Sequence, residues 1–272
     1  MAITSREQLV AASQNASVQH YYRTGMSVPG VLSARASSFS VAGWPMPGSQ
    51  VSAQTLNSTS VGALWLGDAA AGARWYLTGI AASGQYDNSA MLMDRLSQSA
   101  GTALVLSTAT AQTINFGLLP ARQGTDYSSY GVYLEAYVGT ASSLATSAIT
   151  VSYTNENGVA GRAGTFPGGM PAYGASTGWT IGPMTLQAGD MGVKSIETAT
   201  VSGGTTGTTA GFVFAKPLAA VNMPYWGGET RLGYADLGLV DLGADPCLYW
   251  QVAGNGYGVS STFTATITCV TG

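Results

Sequence analysis

The chain has 272 residues, 37 of them glycine, with 8% charged residues and a net charge of −3; an ordinary globular chain carries about 25% charged residues. Disorder of the usual kind needs high net charge and few aromatics, whereas this sequence is 10% aromatic, so composition points to a folded, β-rich protein whose surface polarity comes from hydroxyls and backbone. The ten Lys and Arg residues are scattered singly between Arg6 and Arg231, which argues against nucleic-acid binding, because phosphate contact needs clustered cations.

At the N-terminus, Thr4 and Glu7 have capping-box spacing ahead of Leu9 and Val10, which predicts a short helix over about residues 5–14. The stretch "MAITSREQLVAASQ" has no long apolar region, and no run of about 20 apolar residues follows anywhere. The expectation is a protein without secretory signal or membrane span, made and kept in a cytoplasm. Residues up to about 60 read as irregular, punctuated by Pro29-Gly30 and by "GWPMPG" at 43–48, because closely spaced prolines stop helices and central strands. This region carries Tyr21, Tyr22, Phe39 and Trp44. Two readings stand side by side: an extended arm that docks on another subunit through Tyr21, Tyr22 and Trp44, or a loop folded back on its own domain.

From about residue 61 the hydrophobic period is two. Val132, Leu134, Ala136 and Val138 alternate with Tyr133, Glu135 and Tyr137; Ile149, Val151 and Tyr153 with Thr150 and Ser152; Phe263, Ala265, Ile267 and Cys269 with Thr264, Thr266 and Thr268. Such alternation marks half-buried antiparallel strands. Further strands are expected at 61–66, 74–80, 90–96, 103–107, 112–118, 179–186, 193–202, 210–216 and 247–253. Asn157-Gly158, Gly203-Gly204, Gly227-Gly228 and Asn255-Gly256 supply turn signals. A dozen short strands without a long helical pattern predict an all-β fold, an antiparallel β-sandwich of the jelly-roll type. The expected organisation is a helix and arm over 1–60 and a β domain over 61–272.

Within that domain "SYTNENGVAGRAGTFPGG" at 152–169 reads as a hairpin turning at Asn157-Gly158, with Gly161 and Gly164 letting the return strand bend or approach another backbone. "CLYWQVAGNGYGVSSTFTATITC" begins and ends with cysteine. In a hairpin symmetric about Gly258, Cys247 and Cys269 oppose each other within disulfide range. A one-residue slip separates them, leaving two buried free thiols packed as small hydrophobes.

Residues for chemistry are sparse. His20 is the one histidine, so any Ser-His-Asp or Cys-His arrangement has to use it; an interface or exposed position is the ordinary reading. No G-x-S-x-G motif is present. Asp236, Asp241 and Asp245 lie close in sequence but without EF-hand spacing, and loop capping by aspartate explains them as well. "GGTTGTTAG" at 203–211 lacks the lysine of a P-loop and precedes a strand. No catalytic, cofactor or metal residues are expected.

Five stretches occur in one order along the chain: "MAITSREQLVAAS", "YLTGIAASGQYDNSAMLMDRL" at 76–96, "TAQTIN" at 110–115, "ITVSYTNENGVAGRAGT" at 149–165 and "LQAGDMGVKSIETATVS" at 186–202. Together they cover about a third of the sequence, and the ordered set resembles a group of tailed-bacteriophage virion structural proteins. The pattern varies in its last third, which here includes "NMPYWGGETRLGYADLGL" at 222–239. The resemblance implies a non-enzymatic virion component made in the host bacterial cytoplasm, of the head decoration or auxiliary type. Its partners are then the major capsid protein or other virion proteins, with itself as a homo-oligomer, a trimer favoured. It implies no nucleic-acid or membrane partner and carries over no catalytic residue. Two other classes remain open: a receptor- or glycan-binding module of a tail or fibre, using Trp226 or Trp250 as stacking platforms, and a carbohydrate-active enzyme on a β-sandwich.

Overall fold

A computed structural model describes residues 3–27, 34–39, 43, 44, 46, 48, 50–67, 69–84, 88–136, 148–166, 179–202, 209–223, 228–254 and 260–272. In chain order these form α1 (Arg6–Ser13), β1 (Ser17–Ser27), β2 (Ala34–Ser37), β3 (Gly43–Trp44), β4 (Gln54–Thr55), β5 (Trp75–Gly84), β6 (Asn88–Gln98), β7 (Leu104–Val105), β8 (Gln112–Thr113) and β9 (Gly131–Ala136). There follow β10 (Ile149–Asn155), β11 (Arg162–Phe166), β12 (Trp179–Ile181), β13 (Val193–Val201), β14 (Thr209–Met223), β15 (Glu229–Leu232), α2 (Tyr234–Leu237), β16 (Val240–Gly243), β17 (Leu248–Gly254) and β18 (Ser260–Thr271). The fold is all-β and antiparallel, with a short N-terminal helix. No helix among the described residues is long and apolar enough to cross a membrane.

α1 begins one residue later than the Thr4/Glu7 spacing predicts. Ser5 is the N-cap: its Oγ accepts from Gln8 N at 3.3 Å, and Gln8 Oε1 accepts from Ser5 N at 3.2 Å. Gln8 therefore closes the capping box.

Three sheets make up the body. In the first, β15, β5, β18, β1 and β3 lie in that order, and β16 also pairs with β5. A second runs β11-β10-β13-β8. The third closes on itself: β6 pairs with β17, β17 with β2, β2 with β12, β12 with β9, β9 with β14, and β14 again with β6. The result is a six-stranded antiparallel barrel, with β4 and β7 added at its rims. Closure removes the free edges that an open sheet exposes.

Strand alternation sorts the core into three compartments. Leu92, Leu248, Trp250 and Val252 face outward from the barrel and meet Leu77, Ile80, Phe263 and Ile267 of the first sheet. Val132, Leu134, Phe212 and Phe214 face outward on another wall and meet Ile149, Val151, Tyr153 and Val201 of the second sheet. Met93, Tyr133, Val213, Ala215 and Tyr249 point inward with Phe39. Each outer compartment buries fifteen or more large side chains, each worth roughly 1.5–3 kcal/mol of transfer free energy.

The expected irregular arm over residues 15–60 is corrected here. β1 is an interior strand of the first sheet, paired with β18 from Ser17↔Cys269 to Ser27↔Ser260, and β2 is part of the barrel. The alternation in "SVQHYYR" is hidden because the core-facing set is Gln19, Tyr21 and Arg23, and Arg23 is a fully buried cation. Its Nε donates to Ser38 O at 2.8 Å and its guanidinium lies 4.4 Å from the Tyr21 ring centroid. Residues 61–66, expected as a strand, form a turn with a single bridge, Leu64↔Leu248.

The cysteine hairpin is also corrected. β17 pairs with β6 and β2, whereas β18 pairs with β5 and β1, so the two strands belong to different sheets. Cys247 and Cys269 are free and buried. Burial pushes both thiols up to about 12, and only the thiolate is reactive. Neither cysteine is expected to be alkylated in native protein at pH 8, and both are expected to label after denaturation without reductant. Mass spectrometry showing fewer than two labels in the denatured, unreduced sample contradicts this.

Candidate interaction surface

Successive residues of a strand face opposite sides, and this separates the two tyrosines expected as paired anchors. Tyr21 is in the core, with its hydroxyl donating to Ser38 O at 3.1 Å. Tyr22 is 45% exposed on the outer face of the first sheet. Trp44 pairs with Tyr22 through the backbone of β3; its side chain lies outside the described residues, as do Trp226 and the turns at Gly203-Gly204 and Asn255-Gly256. Trp250 is a core residue in edge contact with Phe263.

The outer face of the first sheet is built mostly from small and hydroxyl side chains. Its rows run Val18–Thr268–Gly79, His20–Thr266–Ala81–Arg231 and Tyr22–Thr264–Ser83–Glu229. His20 is exposed and shares a 3.1 Å hydrogen bond with Thr266 Oγ1. Because Ala81 is short, a groove of about 330 Å³ runs beside it, walled by Thr264, Thr266, Glu229 and Arg231.

A second surface comes from the segment between β2 and β5. From Ala36 to Gly67 the sequence holds no charged residue. The segment caps the barrel: Phe39, Leu56 and Ala63 are buried against its interior residues. Two glycines allow the cap to close. A Cβ on Gly62 would stand 2.6 Å from Gly48 Cα, and one on Gly48 would stand 2.3 Å from the Phe39 ring. With its inner side so used, the segment turns Met46 (65% exposed), Val51 (77%), Val61 (53%) and Trp65 (56%) outward. Large apolar side chains this exposed, with no charge around them in sequence, have the composition of an interface core. The signal was legible as a charge-free run from Ala36 to Gly67 that contains Trp44 and Trp65.

Several of the few charges join elements. Inside the barrel Arg95 and Glu135 form a 2.6 Å ion pair, both almost fully buried. The Arg95 guanidinium lies 4.1 Å from the Phe39 ring centroid, and its Nε donates to Gln98 Oε1 at 3.0 Å. Arg122 grips both oxygens of Asp94 at 2.8 and 2.9 Å and donates to Leu56 O, while Cys247 N also donates to Asp94. One guanidinium thus ties the cap to the barrel.

The β10–β11 hairpin explains its single arginine in the same way. Arg162 binds both oxygens of Asp190 at 2.9 and 3.0 Å, and Tyr153 Oη and Asn155 Nδ2 donate to the same carboxylate at 2.6 and 2.9 Å. Ser152 and Thr154 donate to Glu197, and Met191 N and Gly192 N to Glu156. Gly164 lies against the Met184 side chain rather than another backbone. The arginine and its companion donors hold the Asp190 carboxyl well below the usual carboxylate range, so its contribution to stability is present above about pH 4 and is lost as the pH falls toward the depressed folded value. Asp190→Asn is expected to lower the melting temperature at pH 7, with a deficit that narrows below pH 4. A deficit that stays constant from pH 7 to pH 2.5 contradicts this account.

No group of three or more His, Cys, Asp or Glu residues among the described residues is placed to hold a metal ion. The three clustered aspartates serve separately: Asp236 caps α2 by accepting from Gly233 N, Asp241 pairs with Arg74, and Asp245 accepts from Ser58.

No family model matches the chain. No curated protein matches it either. Among solved structures it is similar to a chain described as infectious bursal disease virus Gx strain, at 11% identity and a TM-score of 0.16, over 93% of this chain and 40% of that one. It is also similar to a chain of the Gt strain, at 9% identity and a TM-score of 0.16, over 94% and 82%. Overlap at that level does not define a common fold.

Proposed function

We propose that this chain is a structural component of a tailed-phage particle, a head decoration or auxiliary protein that works through repeated protein–protein contacts. On this reading it is made in the host cytoplasm, assembles as a homo-oligomer with a trimer favoured, and binds the major capsid protein or another virion protein. The observation that carries the reading is the charge-free cap, which exposes Met46, Val51, Val61 and Trp65 at one end of the barrel. Apolar contacts repeated over many copies need little from ions, and their absence avoids the desolvation cost that buried charges bring. In fold terms we read the arrangement as jelly-roll-like: two sheets stack on a central one across shared cores, and the first and last long strands, β1 and β18, lie side by side.

A second reading, a glycan-binding tail or fibre module, is favoured by one feature alone, the hydroxyl-lined groove walled by Glu229 and Arg231. Copy number separates the two. Quantified bands from purified particles are expected to give hundreds of copies, and a handful per particle favours the tail reading. Trp65→Ala combined with Met46→Ser is expected to reduce occupancy on depleted particles about tenfold or more, with the melting temperature unchanged. Full occupancy by this variant removes the cap as the docking surface.

A further inference from the structure

We infer that the barrel encloses a buried water site shared by Glu135, Thr180 and Arg95. The inference rests on the closed barrel and is independent of any virion role. Three polar atoms on the barrel's inner face are out of contact with solvent and have no hydrogen-bond partner: Glu135 Oε1, Thr180 Oγ1 and Arg95 Nη2. The residues that bear them are 0–1% exposed. Their other atoms are engaged, Glu135 Oε2 by Arg95 Nη1 at 2.6 Å and Arg95 Nε by Gln98 at 3.0 Å. Hence the ion pair itself is formed, and the three atoms are what it leaves over.

The strand register brings them together. Thr180 is directly opposite Glu135 in the β12–β9 ladder, and side chains so opposed start from Cβ atoms about 4.5–5.5 Å apart. Arg95 reaches the same carboxylate from β6 on the far side of β14. A buried polar group without a partner is strongly disfavoured, and an open carboxylate oxygen beside an unpartnered hydroxyl and an unpartnered guanidinium nitrogen calls for an occupant.

The occupant's chemistry follows from what it must do. It donates to Glu135 Oε1 and accepts from Arg95 Nη2, so it is both donor and acceptor. The pair it sits beside is neutral overall; a cation there would face the guanidinium and an anion would face the carboxylate. Met93, Tyr133, Val213 and Tyr249 supply apolar surroundings. Arg35, opposite Thr180 on β2, is turned to Met91 Sδ and Gln251 Oε1. The Gln50 amide, also without a partner, lies over Gly211, which is opposite Glu135 on β14. Water fits, since buried waters take two to four such bonds. Placed there, it completes the hydrogen bonding of the ion pair that links β6 to β9 past β14 and ties β12, a three-residue strand, to β9.

The test uses the full chain. A crystal structure at about 1.5 Å resolution or better is expected to show a fully occupied water within about 3.2 Å of both Glu135 Oε1 and Thr180 Oγ1. A direct Thr180–Glu135 hydrogen bond, or no density between them, overturns the site. Thr180→Val, which keeps the shape and removes the hydroxyl, is expected to lower the melting temperature by about 3 °C or more. It should also remove one long-lived water from the oxygen-17 relaxation dispersion profile, while Thr180→Ser keeps both properties. A valine variant with an unchanged dispersion profile overturns the proposal even if its stability falls.

Discussion

Glu135→Leu is expected to destabilise the protein by about 3–5 kcal/mol, because it leaves Arg95 charged inside the barrel with its carboxylate gone. Gln98 and the Phe39 ring remain as partners, but neither carries a compensating charge. In a chain of this length that loss corresponds to a drop in melting temperature of roughly 6–20 °C. Replacing both members, as in Arg95→Met with Glu135→Leu, is expected to recover most of it, since a buried pair exchanged for apolar side chains of similar volume is often neutral or stabilising. Urea unfolding of the wild type, both single variants and the double variant closes a double-mutant cycle. If Glu135→Leu alone unfolds within about 1 kcal/mol of the wild type, Arg95 is solvated and the barrel interior is not closed as described.

How far the fold could be read in the sequence depended on what each strand faces. β10 and β18 lie between one apolar core and a polar side, so their residues alternate cleanly and were legible. β9 alternates too, although its second face, with Tyr133 and Glu135, is buried inside the barrel rather than half-exposed as its pattern suggested. β1 was not, because its core face carries Gln19, Tyr21 and Arg23, and a buried arginine looks like a surface residue until Ser38 O and the Tyr21 ring are known to receive it. Barrel closure was illegible for a different reason: it depends on β2 pairing with β12 and β17, far along the chain, and no local pattern encodes a partner. The cysteine hairpin failed on the same point, since adjacency in sequence suggested a pairing that the sheets do not make. The split between Tyr21 and Tyr22 followed from strand period alone once β1 is recognised as a strand. The exposed cap left its mark in composition, as the uncharged run ending near Trp65, yet its prolines drew attention to irregularity rather than to absence of charge. Asp190 illustrates the remaining gap: Arg162 signalled a partner, but two other donors, Tyr153 and Asn155, had to be placed by the fold before the carboxylate became identifiable.

Gly62→Ala is expected to destabilise by about 3 kcal/mol or more, whereas Gly158→Ala is expected to cost only about 1 kcal/mol, although both glycines sit at positive φ. Gly62 has φ +97° and Gly158 φ +81°, so the intrinsic penalty for a side chain in that region is similar at both. What differs is space. Around Gly158, at the tip of the β10–β11 turn, nothing lies within 4 Å of an added Cβ, while at Gly62 that atom meets Gly48 Cα and N at 2.6 Å and the Phe39 ring at 2.9 Å. The first two contacts are backbone and cannot rotate away, so the cap must lift, and overpacking of this kind adds roughly 1–3 kcal/mol. Lifting the cap moves Phe39, whose ring stacks on Arg95, so the strain propagates to the barrel interior. Met46, Val61 and Trp65 keep their identities in the variant but lose their fixed spacing, and particle occupancy should fall with stability. Gly158→Ala should bind particles normally. Equal denaturation midpoints for the two variants would show that the close approach of Gly48 and Gly62 is not what holds the cap in place, and the exposed side chains of the cap would then have no rigid support from which to dock.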